Sequence, residues 1–230
     1  MPSKSLLIRM VLQTAVSQAV IGAVLFLAAG DWSWPQGWAF LGEISAFSFV
    51  IGFWLAWHDP ELLKARMTSP FSGGQRPADL ALVIVIGVLF VAWLALMGLD
   101  AQRFMWTSAP LWARIVGAVV LGAGMVLCWE TFRVNSFAAP QVRVQAERAQ
   151  HVVSDGPYRY IRHPMYAGAL LFFLGAPLIL ASLWGLAGGA ILTLGLAVRA
   201  VGEEAVLRAD LAGYEDYMKQ VPWRIIPGIW

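Results

Sequence analysis

The apolar positions of this chain are gathered into long, nearly charge-free runs separated by short polar segments. They extend from Leu6 to Ala29, Trp38 to Trp57, Leu80 to Leu99, Leu111 to Phe132 and Ala167 to Val201. A helix needs about 20 apolar residues to cross the hydrocarbon core of a bilayer, so each of the first four runs predicts one crossing. The fifth is too long for one span and is broken at Pro177 and again around Ser182 to Gly189, which predicts two helices folded back on each other. The expected fold is all-α: a polytopic integral membrane protein of about six transmembrane helices, with five as the alternative count. It ends in a helical hairpin followed by a charged cytoplasmic helix over Ala205 to Gln220.

Composition agrees with that reading. Hydrophobic residues make up 59% of the 230 and charged residues 13%, which excludes an ordinary soluble domain. The first segment has positive charges ahead of an apolar stretch, as a signal peptide does. Its run is longer than a signal core and carries Gln13 and Gln18, so it reads as a retained helix. The single Cys128 rules out an intramolecular disulfide, and His58, His151 and His163 are too dispersed for a sequence-local metal cluster; no metal is expected. If both termini are cytoplasmic, the outer loops hold only Arg103 and Arg114 of the 16 Lys and Arg residues. This asymmetry fixes the orientation and puts the polar segment Arg133 to His163 on the inner side of a membrane, the bacterial inner membrane being the expected one. No nucleic-acid partner is expected.

The chain reads as one membrane domain with two unlike halves: scaffold helices over 1–110, and a second half over 111–230 in which the candidate chemistry lies, read below as the catalytic half. Loops of the first half are rich in turn-formers, at Asp31-Trp32-Ser33-Trp34-Pro35 and Ser69-Pro70-Phe71-Ser72-Gly73-Gly74. Trp32, Trp34, Trp38, Trp54, Trp57, Trp106 and Trp112 cluster near helix ends as interfacial anchors. The stretch from His58 to Met67 predicts an interfacial helix with Lys and Arg facing headgroups, a lid over the site being the other reading. Glu43 falls mid-span, where an ionisable group is costly, and is expected to pair with Arg9 or Gln13 or to touch substrate.

Three features carry chemistry. In Gly156-Pro157-Tyr158-Arg159-Tyr160-Ile161-Arg162-His163-Pro164-Met165-Tyr166-Ala167-Gly168 a polar, aromatic loop runs into an apolar helix. Pro164 suits the first turn of that helix, which places Arg162 and His163 at an N-terminus that favours an anion such as a carboxylate. The alternative is an interfacial Arg and His with tyrosine anchors. The second feature is Glu203-Glu204, two adjacent carboxylates that need compensation: either Arg199 and Arg208 bridge them on a surface helix, or one Glu points inward to a ligand's ammonium or ribose hydroxyls. The third is Gly122-Ala123-Gly124, which reads as a site of close helix packing.

In combination these residues resemble the isoprenylcysteine carboxyl methyltransferase family and its relatives, the membrane phospholipid N-methyltransferases. The resemblance rests on Gly156-Pro157-Tyr158, Arg162-His163-Pro164 with Tyr166 and Gly168, Glu203-Glu204, Tyr214-Glu215-Asp216-Tyr217, Val221-Pro222 and Ile226-Pro227, and spans roughly Arg133 to Pro227. It implies a pocket for S-adenosyl-L-methionine between the loop, the hairpin and the C-terminal helix, with a lipophilic substrate entering sideways from the membrane lipids. Carried over, Tyr158, Arg162, His163, Pro164, Tyr166 and Gly168 line the cofactor, His163 and Tyr166 holding its amino-acid end. Glu203 or Glu204 takes its amine or ribose, and Gly122 and Gly124 resemble the glycine pair of the phospholipid enzymes. Arg133 or Asn135 lines the substrate side.

Methyl transfer from a sulfonium is an in-line displacement, so the protein mainly aligns donor and acceptor and excludes water. A carboxylate acceptor is already ionised and needs only orientation by Arg133, Arg159 or Arg162. A phospholipid amine needs a base, for which a Glu such as Glu204 is the natural choice. The number of arginines favours carboxylate O-methylation, with phosphatidylethanolamine N-methylation as the alternative; Arg133, Arg162 and Glu204 are the expected catalytic residues. A sterol-type reductase using NADPH shares an Arg-His…Tyr loop but has more spans and an Asn where Met165 stands. A non-catalytic scaffold predicts no cofactor affinity.

Overall fold

The computed structural model describes residues 2–69 and 77–230. Among them run eight α-helices and no strand: α1 Lys4–Ala29, α2 Pro35–His58, α3 Pro60–Arg66, α4 Pro77–Gly98, α5 Leu111–Val134, α6 Pro164–Ile179, α7 Leu183–Asp210 and α8 Tyr214–Gln220. The turn-formers from Pro70 to Gly74 lie outside the described residues.

Sequence signals set the boundaries. Ser3 caps α1 by accepting from the Leu6 N–H at 3.2 Å, and Gly30, at φ 71°, closes it in the left-handed conformation that glycine adopts at no steric cost. Asp59 ends α2 and caps α3, its carboxylate accepting from the Leu62 N–H at 2.9 Å, while Pro60 starts the new helix. Beyond Gly98, α4 widens into a π turn over Leu99–Arg103.

Five helices are long and apolar enough to cross a bilayer: α1, α2, α4 with its π turn, α5 and α7. The sixteen-residue α6 is apolar but shorter; it folds back on α7 through Leu180 to Ser182, forming the expected hairpin. This hairpin and α5 form the rigid heart of the molecule. Gly117 and Gly124 on α5 face Gly175 and Gly168 on α6 so closely that a methyl group on Gly124 would sit 2.6 Å from the Gly168 carbonyl oxygen, and one on Gly175 would sit 2.6 Å from the Gly117 oxygen. Seven-residue spacing on both helices makes one backbone-to-backbone seam of the kind small residues permit in membranes. Around it Leu25, Phe26, Phe40, Trp93, Met97, Leu121, Leu180 and Leu192 form the main core.

The two ends of the bundle differ. At one end Asp100, fully buried on the π turn, accepts from the Thr107 N–H and hydroxyl, the Ser182 hydroxyl and the Trp184 N–H, tying α4, the following loop and the hairpin tip together. Arg103 and Arg114 lie at this end, and every other described Lys and Arg lies toward the opposite, polar end, where 135–163 and α8 also sit.

Three expectations about the first half change, and one about the second. Trp34 is a core residue, 2% exposed, whereas Trp32, Trp38, Trp57, Trp106 and Trp112 are exposed as anchors are. Glu43 pairs with neither Arg9 nor Gln13, since both of these reach the Met67 carbonyl oxygen, at 3.3 and 3.5 Å; Glu43 lies instead beside Gly122. Helix α3 buries Leu62 and Leu63 and exposes Lys64, but Arg66 turns inward to donate to the Ala138 carbonyl at 2.8 Å. Arg199 binds Asp79 and the Pro140 carbonyl, and Arg208 binds Glu215, so neither bridges the Glu203-Glu204 pair.

Candidate active site

The site begins where the chain leaves α5. Gly156 has φ 56° and packs so near Val134 that a methyl group there would stand 3.0 Å from its Cγ1, so the turn before Pro157 favours glycine twice over. The single 3₁₀ turn Gly156–Arg159 brings Tyr158 under the loop: its hydroxyl accepts from Asn135 Nδ2 at 2.7 Å, and its carbonyl accepts from the Tyr217 hydroxyl at 2.9 Å. Two main-chain bonds, Arg162 N–H to Trp223 O and His163 N–H to Arg224 O, then strap the segment to the stretch after α8. Pro164 opens α6 as expected.

Beneath this segment lies a buried ionic cluster centred on Glu204. One carboxylate oxygen accepts from Arg162 Nε at 2.7 Å and lies 3.2 Å from His163 Nε2, and the other accepts from Arg224 Nε at 2.9 Å. A carboxylate can only accept, so His163 carries its proton on Nε2. Arg162 also donates to the Val221 carbonyl at 2.7 Å, and Glu204 and Arg162 are each 4% exposed at the side chain. A buried carboxylate with three partners is a keystone, with no face left for a ligand.

Glu203 points the other way. Its Oε2 accepts from the Tyr166 hydroxyl at 2.8 Å and lies 3.9 Å from His163 Nδ1, and its side chain is 29% exposed in a cavity. Tyr158, His163, Tyr166, Tyr214 and Tyr217 line that cavity with Glu203, and residues 137–143 and 150–153 roof it. The roof is held by its own side chains: Gln145 donates to the Phe137 carbonyl and Arg148 to the Ser136 carbonyl. The Tyr214 hydroxyl, buried at the cavity wall, has no partner. Burial holds the phenols of Tyr158, Tyr214 and Tyr217 above their ordinary range, so they stay neutral near pH 7.

Of the residues singled out from the sequence, the cavity gathers Tyr158, Arg162, His163, Pro164, Tyr166 and Glu203. It does not gather Arg133, which is exposed, paired with Glu130 at 2.8 Å and stacked over Trp129, nor Arg159, exposed and paired with Asp155. Gly124 and Gly168 are spent on the α5–α6 seam, and Gly122 faces α2. Arg224, the Tyr214 hydroxyl and the roof residues Gln150 and His151 had no role in the sequence reading. Arg224 offered no local signal, being one basic residue in an otherwise apolar tail.

Residues 112–210 match the family model for phospholipid methyltransferase. No match was found among curated proteins. The matched span runs from α5 to the end of α7 and so contains the seam, the Arg162-His163-Pro164 segment and both glutamates. The protein is a membrane methyltransferase that uses S-adenosyl-L-methionine. The cavity suits that cofactor chemically: the unpartnered Tyr214 hydroxyl and the accessible Glu203 carboxylate meet a ligand rich in ammonium, hydroxyl and ring nitrogens. Its volume, about 90 Å³, falls short of the few hundred cubic ångströms usual for such ligands, so the roof is expected to lift on binding.

Proposed function

We propose that this enzyme is a phospholipid N-methyltransferase whose acceptor is the primary amine of a phosphatidylethanolamine-type headgroup. One observation carries the reading: within the matched segment, Glu203 alone of the acid pair presents a carboxylate to the cavity, with Tyr166 holding one of its oxygens and leaving the other available. An amine acceptor needs such a group, because an alkylammonium is protonated at pH 7 and has no lone pair to attack with. For a carboxylate acceptor the sequence offered Arg133, Arg159 and Arg162 as the orienting groups, and all three have protein partners. These occupied guanidiniums weigh against the carboxylate O-methylation favoured on sequence grounds.

When bound, S-adenosyl-L-methionine supplies an electrophilic methyl group on a sulfonium. Glu203, His163, Tyr166 and Tyr214 are the residues that would hold it, and Tyr158 and Tyr217 build the wall behind them. Glu203 would accept the proton that leaves the headgroup ammonium, freeing the nitrogen lone pair for the methyl group that the bound donor would supply. Arg162 and Arg224 neutralise Glu204 below and His163 bonds to it, so the floor stays fixed while the roof over 137–153 excludes water. The positive charge gathered at the polar end supports a cytoplasmic position for this end and for both chain ends.

The test is to incubate the purified protein with methyl-labelled S-adenosylmethionine in phosphatidylethanolamine vesicles and treat the lipid with mild alkali. The proposal expects label that remains on nitrogen. Label released as methanol would mean an ester and return the assignment to carboxylate O-methylation.

A further inference from the structure

A second cavity of about 410 Å³ opens between α1, α2, α3 and α5, and only Met165 lines both it and the first. The guanidinium of Arg66 stands at that shared wall. It lies 4.2 Å over the Phe132 ring and donates to the Ala138 carbonyl at 2.8 Å and to Met165 Sδ at 3.5 Å. All of these hydrogen bonds come from Nη1, so Nε and Nη2 have no protein acceptor, and no carboxylate of the described residues pairs with Arg66. A half-buried cation facing apolar walls needs an anion more than a surface one does. A guanidinium with one edge free presents the fork that fits two oxygens of a phosphate.

Deeper in the same cavity a polar seam runs along α1. Gln13, Thr14, Ser17 and Gln18 line it, with Ser48 opposite on α2. Gln18 Nε2 lies 3.3 Å from Ser48 Oγ, while Gln18 Oε1 is buried with no partner. Half a turn of the amide lets Ser48 donate to the oxygen and leaves an N–H group free instead. Either way the side chain awaits a polar group at mid-depth. Gln18 lies five residues below Gln13, about 7.5 Å further along the helix, and the ester oxygens of a glycerolipid are acceptors that its amide N–H can meet. A prenyl chain has nothing to offer there.

We infer that this cavity, with Arg66 at its mouth and the Gln18–Ser48 pair inside, is the acceptor site and binds the phosphodiester and ester groups of a glycerophospholipid, placing the headgroup amine at Met165 beside the donor cavity. This deepens the phospholipid reading and rests on it. Retention of radiolabelled dioleoylphosphatidylethanolamine by detergent-purified protein in gel filtration tests it, with dioleoylglycerol as the probe that lacks phosphate and glycerophosphoethanolamine as the probe that lacks chains. Arg66→Gln is expected to lose phosphatidylethanolamine affinity tenfold or more while keeping wild-type affinity for dioleoylglycerol and, by calorimetry, for S-adenosylmethionine. Glycerophosphoethanolamine is expected to compete only weakly. Arg66 also holds the Ala138 carbonyl, so Arg66→Lys, which keeps the charge but not the fork, and Gln18→Leu serve as milder variants, each expected to weaken retention severalfold. Wild-type retention in the folded variants would overturn the inference while leaving N-methylation of phosphatidylethanolamine by the wild type intact. If the wild type instead retains N-acetylfarnesylcysteine and no phospholipid, both the inference and the reading beneath it fall.

Discussion

Successive residues on a helix point about 100° apart, and this separates the tasks of Glu203 and Glu204 on α7. Glu204 turns into the Arg162, His163 and Arg224 cluster; Glu203 turns to the cavity and Tyr166. The two therefore fail differently when neutralised. Glu203→Gln removes a proton acceptor and keeps the shape, so kcat is expected to fall by a factor on the order of 10² to 10⁴, more than calorimetric affinity for S-adenosylmethionine falls through the lost charge. Glu204→Gln leaves buried cations without their counter-charge, which typically costs about 3–5 kcal/mol. Thermal denaturation in detergent should show that loss, together with weaker cofactor binding. An unperturbed melting temperature would remove Glu204 from the role of keystone. The sequence made the pair visible, but which member faces inward depends on the rotation of α7, which its flanking glycines and apolar residues do not specify.

The elements themselves were more legible. Runs of apolar residues located every long helix, and the break at Pro177 and Ser182 located the hairpin turn, because bilayer thickness and helix rise are fixed quantities. What the runs do not state is which faces meet. Gly124 was noticed beside Gly122, yet its partner Gly168 and the matching pair Gly117 and Gly175 emerge only when α5 and α6 are laid together. Gly175→Ala is expected to destabilise the protein by about 1–3 kcal/mol as its methyl group meets the α5 backbone. Gly87→Ala, on a face of α4 with nothing within 4 Å, should change stability little; denaturation curves of the two variants check the contrast. The roof makes a prediction of another kind. Its enclosed space is too small for the cofactor, so S-adenosylmethionine should alter amide hydrogen exchange across 137–153 and slow it once bound. Exchange unaffected by saturating cofactor would contradict a lifting roof.

At the scale of the whole molecule, chemistry is confined to one end and the other end is a clasp. Asp100 satisfies four donors from two segments there. Replacing it with Ala leaves those donors buried and should cost about 3 kcal/mol or more in denaturation experiments, with cofactor affinity retained by the molecules that remain folded. The charge asymmetry that orients the chain was readable from the Lys and Arg positions alone. The acceptor cavity was not, because its residues come from α1, α2, α3 and α5 and look like scaffold one at a time. Gln13 and Gln18 appeared only as polar interruptions of an apolar run, and Arg66 as one more interfacial cation.

We propose that the cavity walled by residues 135–166 and 203–217 holds the methyl donor. Ultraviolet photolabelling of the intact protein with radioactive S-adenosylmethionine, followed by peptide mapping, tests it most directly. The account predicts saturable label in peptides from those two stretches, displaced by excess unlabelled cofactor. Label that does not saturate, or that maps to α1, α2 or α4, would contradict it.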